Sequence, residues 1–234
     1  MHDVSANGAQ IPALGFGTWD LPPDRVQPLV EHALGVGYRH LDTAQMYGNE
    51  AAVGAGLRAS GLARDAVFLT TKIWPDYFAR DAFLEATDER LRLLGVDRVD
   101  LLLLHWPSKT VPLGETIEAL NAVRKAGQTR HIGVSNFTTK LIDEAVRLSD
   151  APLVTDQVEY HPYLDQSKVL AKLKAHGMAL TAYCPIARGR VVDDPTLVRI
   201  GEAHGKSATQ VALRWLVQQE GVIAIPRSSN EARI

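Results

Sequence analysis

Eight short apolar runs, each followed by a stretch long enough for a helix or a loop, recur along the 234 residues of the chain. In order they are LGFGTW (14–19), YRHLDTA (38–44), VFLTTKIW (67–74), VDLLLLHW (99–106), TRHIGVSN (129–136), LVTDQVEY (153–160), ALTAYCPI (179–186) and VIAIPRS (222–228). Several are apolar almost without interruption, as parallel strands buried on both faces must be. Between them, apolar residues return at helical spacing. Asp24 to Val36 is opened by Pro22-Pro23 and closed by Gly35 and Gly37. Asp81 to Leu94 carries Phe83, Leu84, Thr87, Leu91 and Leu94 on one stripe and stops at Gly95. Ser207 to Gln219 begins with a capping serine and turns Val211, Leu213, Trp215 and Leu216 inward. Strand–helix alternation repeated this often predicts an α/β fold, a (β/α)8 TIM barrel rather than an open doubly wound sheet. The Asn7-Gly8 pair between short runs predicts a tight hairpin ahead of the first barrel strand, placed to cap the bottom. No linker or low-complexity segment intervenes, so residues 1–234 are expected to form a single barrel domain. The chain ends at Ile234 with no length for a helix after the eighth run, so the outer faces of strands eight and one are expected to lack cover.

Composition narrows the class of partner. With 46% apolar residues, 22% charged residues and a formal net charge of -2, the chain has no basic run to attract nucleic acid. No segment approaches the roughly 18 consecutive apolar residues of a membrane span, and MHDVSANGAQ lacks the parts of a signal peptide. The single Cys184 excludes an internal disulfide and fits a reducing cytoplasm.

In a parallel barrel the loops after the strands build one shared mouth, so chemistry is sought at the strand ends. Those ends carry Asp42 with Tyr47 in the following loop, Lys72 and then Trp74, His105 and Trp106, Ser135-Asn136, Gln157, Tyr183, Arg227-Ser228, and Thr18-Trp19. A phenol with a reference pKa near ~10 is a reluctant acid. A lysine ammonium beside it is expected to lower that pKa, and a carboxylate paired to the lysine to keep the ammonium charged. A neutral histidine can orient a reacting oxygen. Asp42, Tyr47, Lys72 and His105 supply these four parts. Arg227, Ser228 and Arg233 lie close together in sequence and offer donors for a phosphate, and Trp19, Trp74 and Trp106 offer flat apolar walls for a small molecule. Trp215, on an apolar helical stripe, is assigned to the core. Gly54 to Ala59 fits the G-x-G-x-x-A spacing but follows a helical stretch, not a strand, so it is not taken as a dinucleotide loop.

LDTAQMYGNE (41–50), TTKIW (70–74), LLLHWP (102–107), IGVSNF (132–137), QVEYHP (157–162) and IPRSSN (225–230) together closely resemble the aldo-keto reductases. The resemblance runs from about Leu14 to the last residue, and the segment 183–195 looks like the family's bacterial 2,5-diketo-D-gluconate reductase branch. It implies NADPH-dependent reduction of a small aldehyde, ketone or keto-sugar by a cytoplasmic monomer, with no metal. It makes Asp42, Tyr47, Lys72 and His105 the catalytic set, with Tyr47 the proton donor. Trp19, Trp74 and Trp106 would join Tyr47 and His105 around the substrate. Ser135, Asn136 and Gln157 would hold the nicotinamide amide and Tyr183 would stack on its ring. Thr18, Asp42, Pro185, Ile186 and Arg188 would also line the cofactor, and Arg227, Ser228 and Arg233 would take the 2′-phosphate. Arg227 stands where most members have lysine, and Cys184 where serine is usual. Two other readings stay open. One is a non-catalytic NADPH-sensing barrel. The other is a metal-dependent hydrolase barrel using histidines such as His40, His105, His131 and His161, although His131 opens its strand at the opposite end.

Overall fold

All eight runs form strands in the computed structural model, which describes residues 2–234. A hairpin of β1 (Asp3–Ala6) and β2 (Ala9–Pro12) comes first. The barrel strands are β3 (Phe16–Gly17), β4 (His40–Asp42), β5 (Phe68–Ile73), β6 (Val99–Leu104), β7 (Thr129–Ser135), β8 (Leu153–Glu159), β9 (Ala179–Tyr183) and β10 (Val222–Ala224). They lie side by side in chain order and are all parallel. The sheet closes on itself: Leu14 bridges Ala224, the Gly15 N–H donates to the Ala224 carbonyl at 2.9 Å, and the Gly17 N–H donates to the Pro226 carbonyl at 2.9 Å. This seam requires glycine, because a Cβ on Gly17 would stand 2.9 Å from the Ile225 carbonyl oxygen.

The hairpin plugs the lower end. Asn7 and Gly8 have φ of 45° and 88°, the left-handed pair that a two-residue primed turn needs. The Asn7 amide then donates to the carbonyls of Leu153 at 2.7 Å and His176 at 2.9 Å. Val4, Ala6 and Ile11 pack there against Leu101, Leu103, Val154 and Ile223 inside the barrel.

Around the sheet run α1 (Val26–Gly35), α2 (Glu50–Ala59), α3 (Arg80–Leu94), α4 (Leu113–Lys125), α5 (Thr139–Leu148), α6 (Ser167–Ala175), α7 (Pro195–Ala203) and α8 (Ala208–Val217). The first expected helix starts later than predicted, since Pro23–Arg25 form a separate 3-10 turn. Helix α7 is an addition: Asp194 caps it and Pro195 opens it, a start signal within the segment compared above only with the family. The cap of α8 is a full capping box of Ser207 and Gln210. Its inward ridge is Ala208, Ala212 and Leu216, spaced by four. Val211, Leu213 and Trp215 flank that ridge and are half-buried, so the expected stripe is displaced. Trp215 packs on Tyr160, ring centroids 5.3 Å apart, at the edge of the core. Leu84 of α3 is likewise half-buried, while Ala86 and Arg90 face inward.

After β10 there is one 3-10 turn, Glu231–Arg233. The expected lack of cover on the two seam strands does not follow. Val222, Ala224 and Phe16 are all buried, Phe16 meets Tyr38 edge-on at 5.9 Å, and Ile234 packs on the same core. Gly54 and Gly56 lie inside α2, where their role is packing. A Cβ on Gly54 would collide with the Leu94 carbonyl, and one on Gly56 would stand 2.8 Å from the Gln27 carbonyl oxygen. Among the described residues no helix is long and apolar enough to cross a membrane.

Candidate active site

At the upper end of the strands, Lys72 is fully buried. Its ammonium has three protons and three partners: Asp42 Oδ1 at 2.6 Å, the Thr43 carbonyl at 2.9 Å and Tyr47 Oη at 3.3 Å. Asp42 Oδ2 accepts from Gln157 Nε2 at 2.8 Å, so both carboxylate oxygens are used. A charge pair this deeply buried persists only when its remaining hydrogen-bonding capacity is filled in this way. Tyr47 reaches the site on a 3-10 turn, Gln45–Tyr47, which Gly48 terminates at φ 64°. That turn is pinned from two sides. Gln45 Oε1 accepts from the Trp74 N–H at 2.9 Å. Asn49 donates to the Thr18 carbonyl at 2.9 Å and accepts from Thr43 Oγ1 at 3.0 Å. His105 meets Tyr47 edge-on at 5.7 Å and Trp74 edge-on at 5.2 Å.

The protonation states follow from burial. Burial pushes the Tyr47 phenol above its ordinary value, and Lys72 pulls it the other way without prevailing. The lowering expected from the lysine is therefore corrected: the ammonium acts in that direction, but the loss of water around the phenol outweighs it. Burial also works against the Lys72 charge, yet Asp42 and Tyr47 more than compensate and the ammonium is held above its ordinary range. Burial, then Lys72, pushes His105 down to about 3, so its imidazole is neutral at pH 7. His105 Nδ1 is buried with no hydrogen-bond partner.

Ser135, Asn136, Gln157 and Tyr183 come together beside this floor. Ser135 Oγ donates to the Gln157 carbonyl at 2.7 Å, and Asn136 Nδ2 donates to Ser135 Oγ and the His105 carbonyl, both at 3.0 Å. Tyr183 Oη donates to Asn136 Oδ1 at 2.9 Å, and burial lifts its phenol to about 12. Thr18 donates to the Asp42 carbonyl through its N–H at 3.0 Å and its hydroxyl at 3.1 Å.

The remaining expected residues stand on the rim. Trp19 and Trp106 are 41% and 43% exposed, and Trp74 is half-buried. Pro185 is buried, Ile186 half-buried, and Arg188 exposed on the turn Ala187–Gly189. Among the described residues six non-glycine residues adopt positive φ; Asn7 is in the hairpin, and Asp20, Asn136, Cys184, Ala187 and Arg188 follow barrel strands at this end. Local strain is thus gathered around the mouth. Arg227, Ser228 and Arg233 share one loop, but the first two are engaged: Arg227 pairs with Asp20 at 2.8 Å, and Ser228 Oγ bonds the Asn230 N–H and carbonyl, both at 3.0 Å. Two clefts flank the mouth. One of about 640 Å³ lies between the Tyr47 turn and α3, walled by Met46, Trp74, Tyr77 and Arg90. The other, about 580 Å³, is lined by Trp106, Asn136, Glu159, Lys168 and Tyr183. Among the described residues no group of three His, Cys, Asp or Glu side chains could hold a metal ion, and His131 stacks on Phe68 at 6.5 Å near the strand start.

Two buried acids close to the site residues, Glu50 and Asp156, were not anticipated. Glu50, behind the Tyr47 turn, accepts from Thr71 Oγ1 at 2.5 Å and lies 2.7 Å from Arg90 Nε, off the line of a good hydrogen bond; burial lifts its carboxyl to about 7. Asp156, next to Gln157 on β8, has one oxygen without a partner and the other 3.4 Å from the Phe137 N–H; burial lifts it to about 8. The only sequence signal for either is an acid beside a site residue.

Residues 13–234 match the aldo/keto reductase family. The chain is 41% identical over 227 residues to methylglyoxal reductase DkgB of Salmonella typhimurium, covering 96% of this chain and 85% of that protein. It is 38% identical over 229 residues to glyoxal reductase of Bacillus subtilis, covering 97% and 83% of the two chains. A crystal structure named for a 2,5-diketo-D-gluconic acid reductase B superposes with a TM-score of 0.98 at 57% identity, over all of this chain and 83% of its own. Barrel, hairpin and relatives together define an oxidoreductase that acts on carbonyl compounds. The chain belongs to the aldo/keto reductase family.

Proposed function

We propose that this protein reduces a small aldehyde, ketone or keto-sugar with NADPH, and that Tyr47 provides the proton. The observation that carries the proposal is the placement of Tyr47 Oη 3.3 Å from a fully buried ammonium that Asp42 in turn holds at 2.6 Å. When bound, NADPH supplies a hydride. The residues present suit such a cofactor by their chemistry: the hydroxyl and amides of Ser135, Asn136 and Gln157 complement a carboxamide, and Tyr183 offers an aromatic face. Thr18, Pro185 and Ile186 line the approach, and Arg188, Arg227 and Arg233 bring charge for phosphates.

The chain's own part is proton handling and positioning. Because burial raises the Tyr47 phenol, it rests protonated and ready as an acid. His105, neutral down to about pH 3, is no source of the proton; its imidazole orients the carbonyl oxygen. As negative charge grows on that oxygen the proton leaves Tyr47 Oη, and the resulting phenolate is met by the Lys72 ammonium. Lys72 therefore matters most at the moment of transfer, not at rest. Trp19, Trp74 and Trp106 would wall off water around the substrate. The relatives named for methylglyoxal and glyoxal reduction support a small substrate. A lone cysteine and the absence of a membrane-length helix among the described residues suit a cytoplasmic enzyme, read here as a monomer.

Tyr47→Phe is the test. It should retain NADPH binding by fluorescence titration while turnover with a panel of small aldehydes falls by at least about a hundredfold, the low end for loss of a positioned acid. Turnover equal to that of the unaltered protein would refute the assignment.

A further inference from the structure

We propose that Asp20 is a built-in competitor for the cofactor's 2′-phosphate, and so a residue that sets how strongly this chain prefers NADPH to NADH. The inference rests on the proposal above that the 227–233 loop receives that phosphate. Asp20 Oδ2 lies 2.8 Å from Arg227 Nη2, occupying one arm of the fork that a phosphate would engage.

The pairing is a consequence of how the barrel closes. The Gly17 N–H donates to the Pro226 carbonyl at 2.9 Å, and a Cβ on Gly17 would come within 3.7 Å of Arg227 Cβ. Arg227 therefore leaves the seam beside Gly17, and Asp20 follows Gly17 by three residues in the loop on the other side. Asp20 holds a left-handed backbone, φ 56°, a conformation that aspartate tolerates better than most residues. A second ion pair, Arg25 to Glu231 at 2.8 Å, joins the same two loops. Two carboxylates thus cross the seam, and the one on Arg227, Asp20, holds a cation expected to meet phosphate.

A phosphate entering this loop must displace Asp20 or share the guanidinium with it. A dianion with three acceptor oxygens outcompetes one carboxylate, but the lost pair is subtracted from its affinity. NADH has no 2′-phosphate and needs no such exchange. Asp20 thus narrows the gap between the two cofactors.

The experiment is titration of the full chain with NADP+ and with NAD+, followed by tryptophan fluorescence, for the unaltered protein, Asp20→Asn, Arg227→Ala and the double variant. Asp20→Asn should tighten NADP+ by about two- to fivefold, the scale of an exposed ion pair, and leave NAD+ unchanged. The gain should vanish in the Arg227→Ala background and shrink at about 1 M salt. If Arg227→Ala weakens NADP+ but Asp20→Asn does nothing, the competitor role falls and the loop's role stands. If Asp20→Asn tightens both cofactors equally, the effect is general repulsion and the proposal also falls. If Arg227→Ala leaves NADP+ untouched, the phosphate assignment and the competitor fall together.

Discussion

The floor of the mouth and its rim are built on opposite terms. On the floor, Asp42, Lys72, Gln157 and Ser135 are almost sealed from water, sit on strands, and bond one another at 2.6–2.8 Å or through main-chain carbonyls. On the rim, Arg227 and Arg25 are held by Asp20 and Glu231 with at least one-third of each side chain exposed, on connections beyond the strands where Asp20 is left-handed. Buried polar bonds have no competing water, so breaking one leaves an uncompensated group, whereas exposed pairs exchange with solvent and salt at little cost. On the proposed reading, the geometry for proton transfer is set before any ligand arrives, while a grip on phosphate would be assembled by exchange of partners.

The sharpest way to break this contrast is Lys72→Met, which keeps the length of the side chain and removes its charge. Asp42 would then be a buried carboxylate without its cation, a change that costs about 3–5 kcal/mol. Urea unfolding at pH 7 should show it. A loss below about 1 kcal/mol, the scale of an exposed pair, would mean that the floor is not sealed as described.

Next in size is a pH effect at the unpaired acid. The Asp156 carboxyl is raised from 3.8 to about 8, so between those values the folded chain holds a proton that the unfolded chain has released. Its contribution is fully present below about pH 4 and is lost as pH climbs toward 8. Asp156→Asn, which cannot ionise, should match the unaltered protein near pH 4 and exceed it by a few kcal/mol above pH 8. Glu50, raised to about 7, adds a loss of the same sign that this variant keeps. Parallel stability curves from pH 5 to 9 would show that Asp156 is not neutral in the fold.

The sequence disclosed the floor better than the rim for a physical reason. Strand alternation fixes which end of each apolar run meets the mouth, so Asp42, Lys72, His105 and Gln157 could be placed together from order alone. What it could not disclose were partners distant in the chain. Arg227 reads as a free cation until Asp20, 207 residues earlier, is brought beside it by the barrel seam. Arg90 looks like a surface residue of α3 until it is seen against Glu50. The net direction at Tyr47 was also hidden, because it depends on how completely the phenol is enclosed and not on which charge stands next to it. Helix α7 was missed, although its start signal, Asp194 as cap and Pro195 at the first turn, is local.

The smallest expected effect lies wholly on the rim. Arg25→Gln removes the pair with Glu231, whose side chains are 43% and 50% exposed. Such a pair contributes about 0–1 kcal/mol and fades with salt. For a chain this long that is a shift in Tm of no more than about 2–4 °C, disappearing at about 1 M salt. A larger shift, or one that persists in salt, would mean that Arg25 and Glu231 are part of the rigid frame. The seam between β3 and β10 would then be a fixed wall, and the proposed exchange of Asp20 for a phosphate at Arg227 would have to occur without any loosening of the two loops.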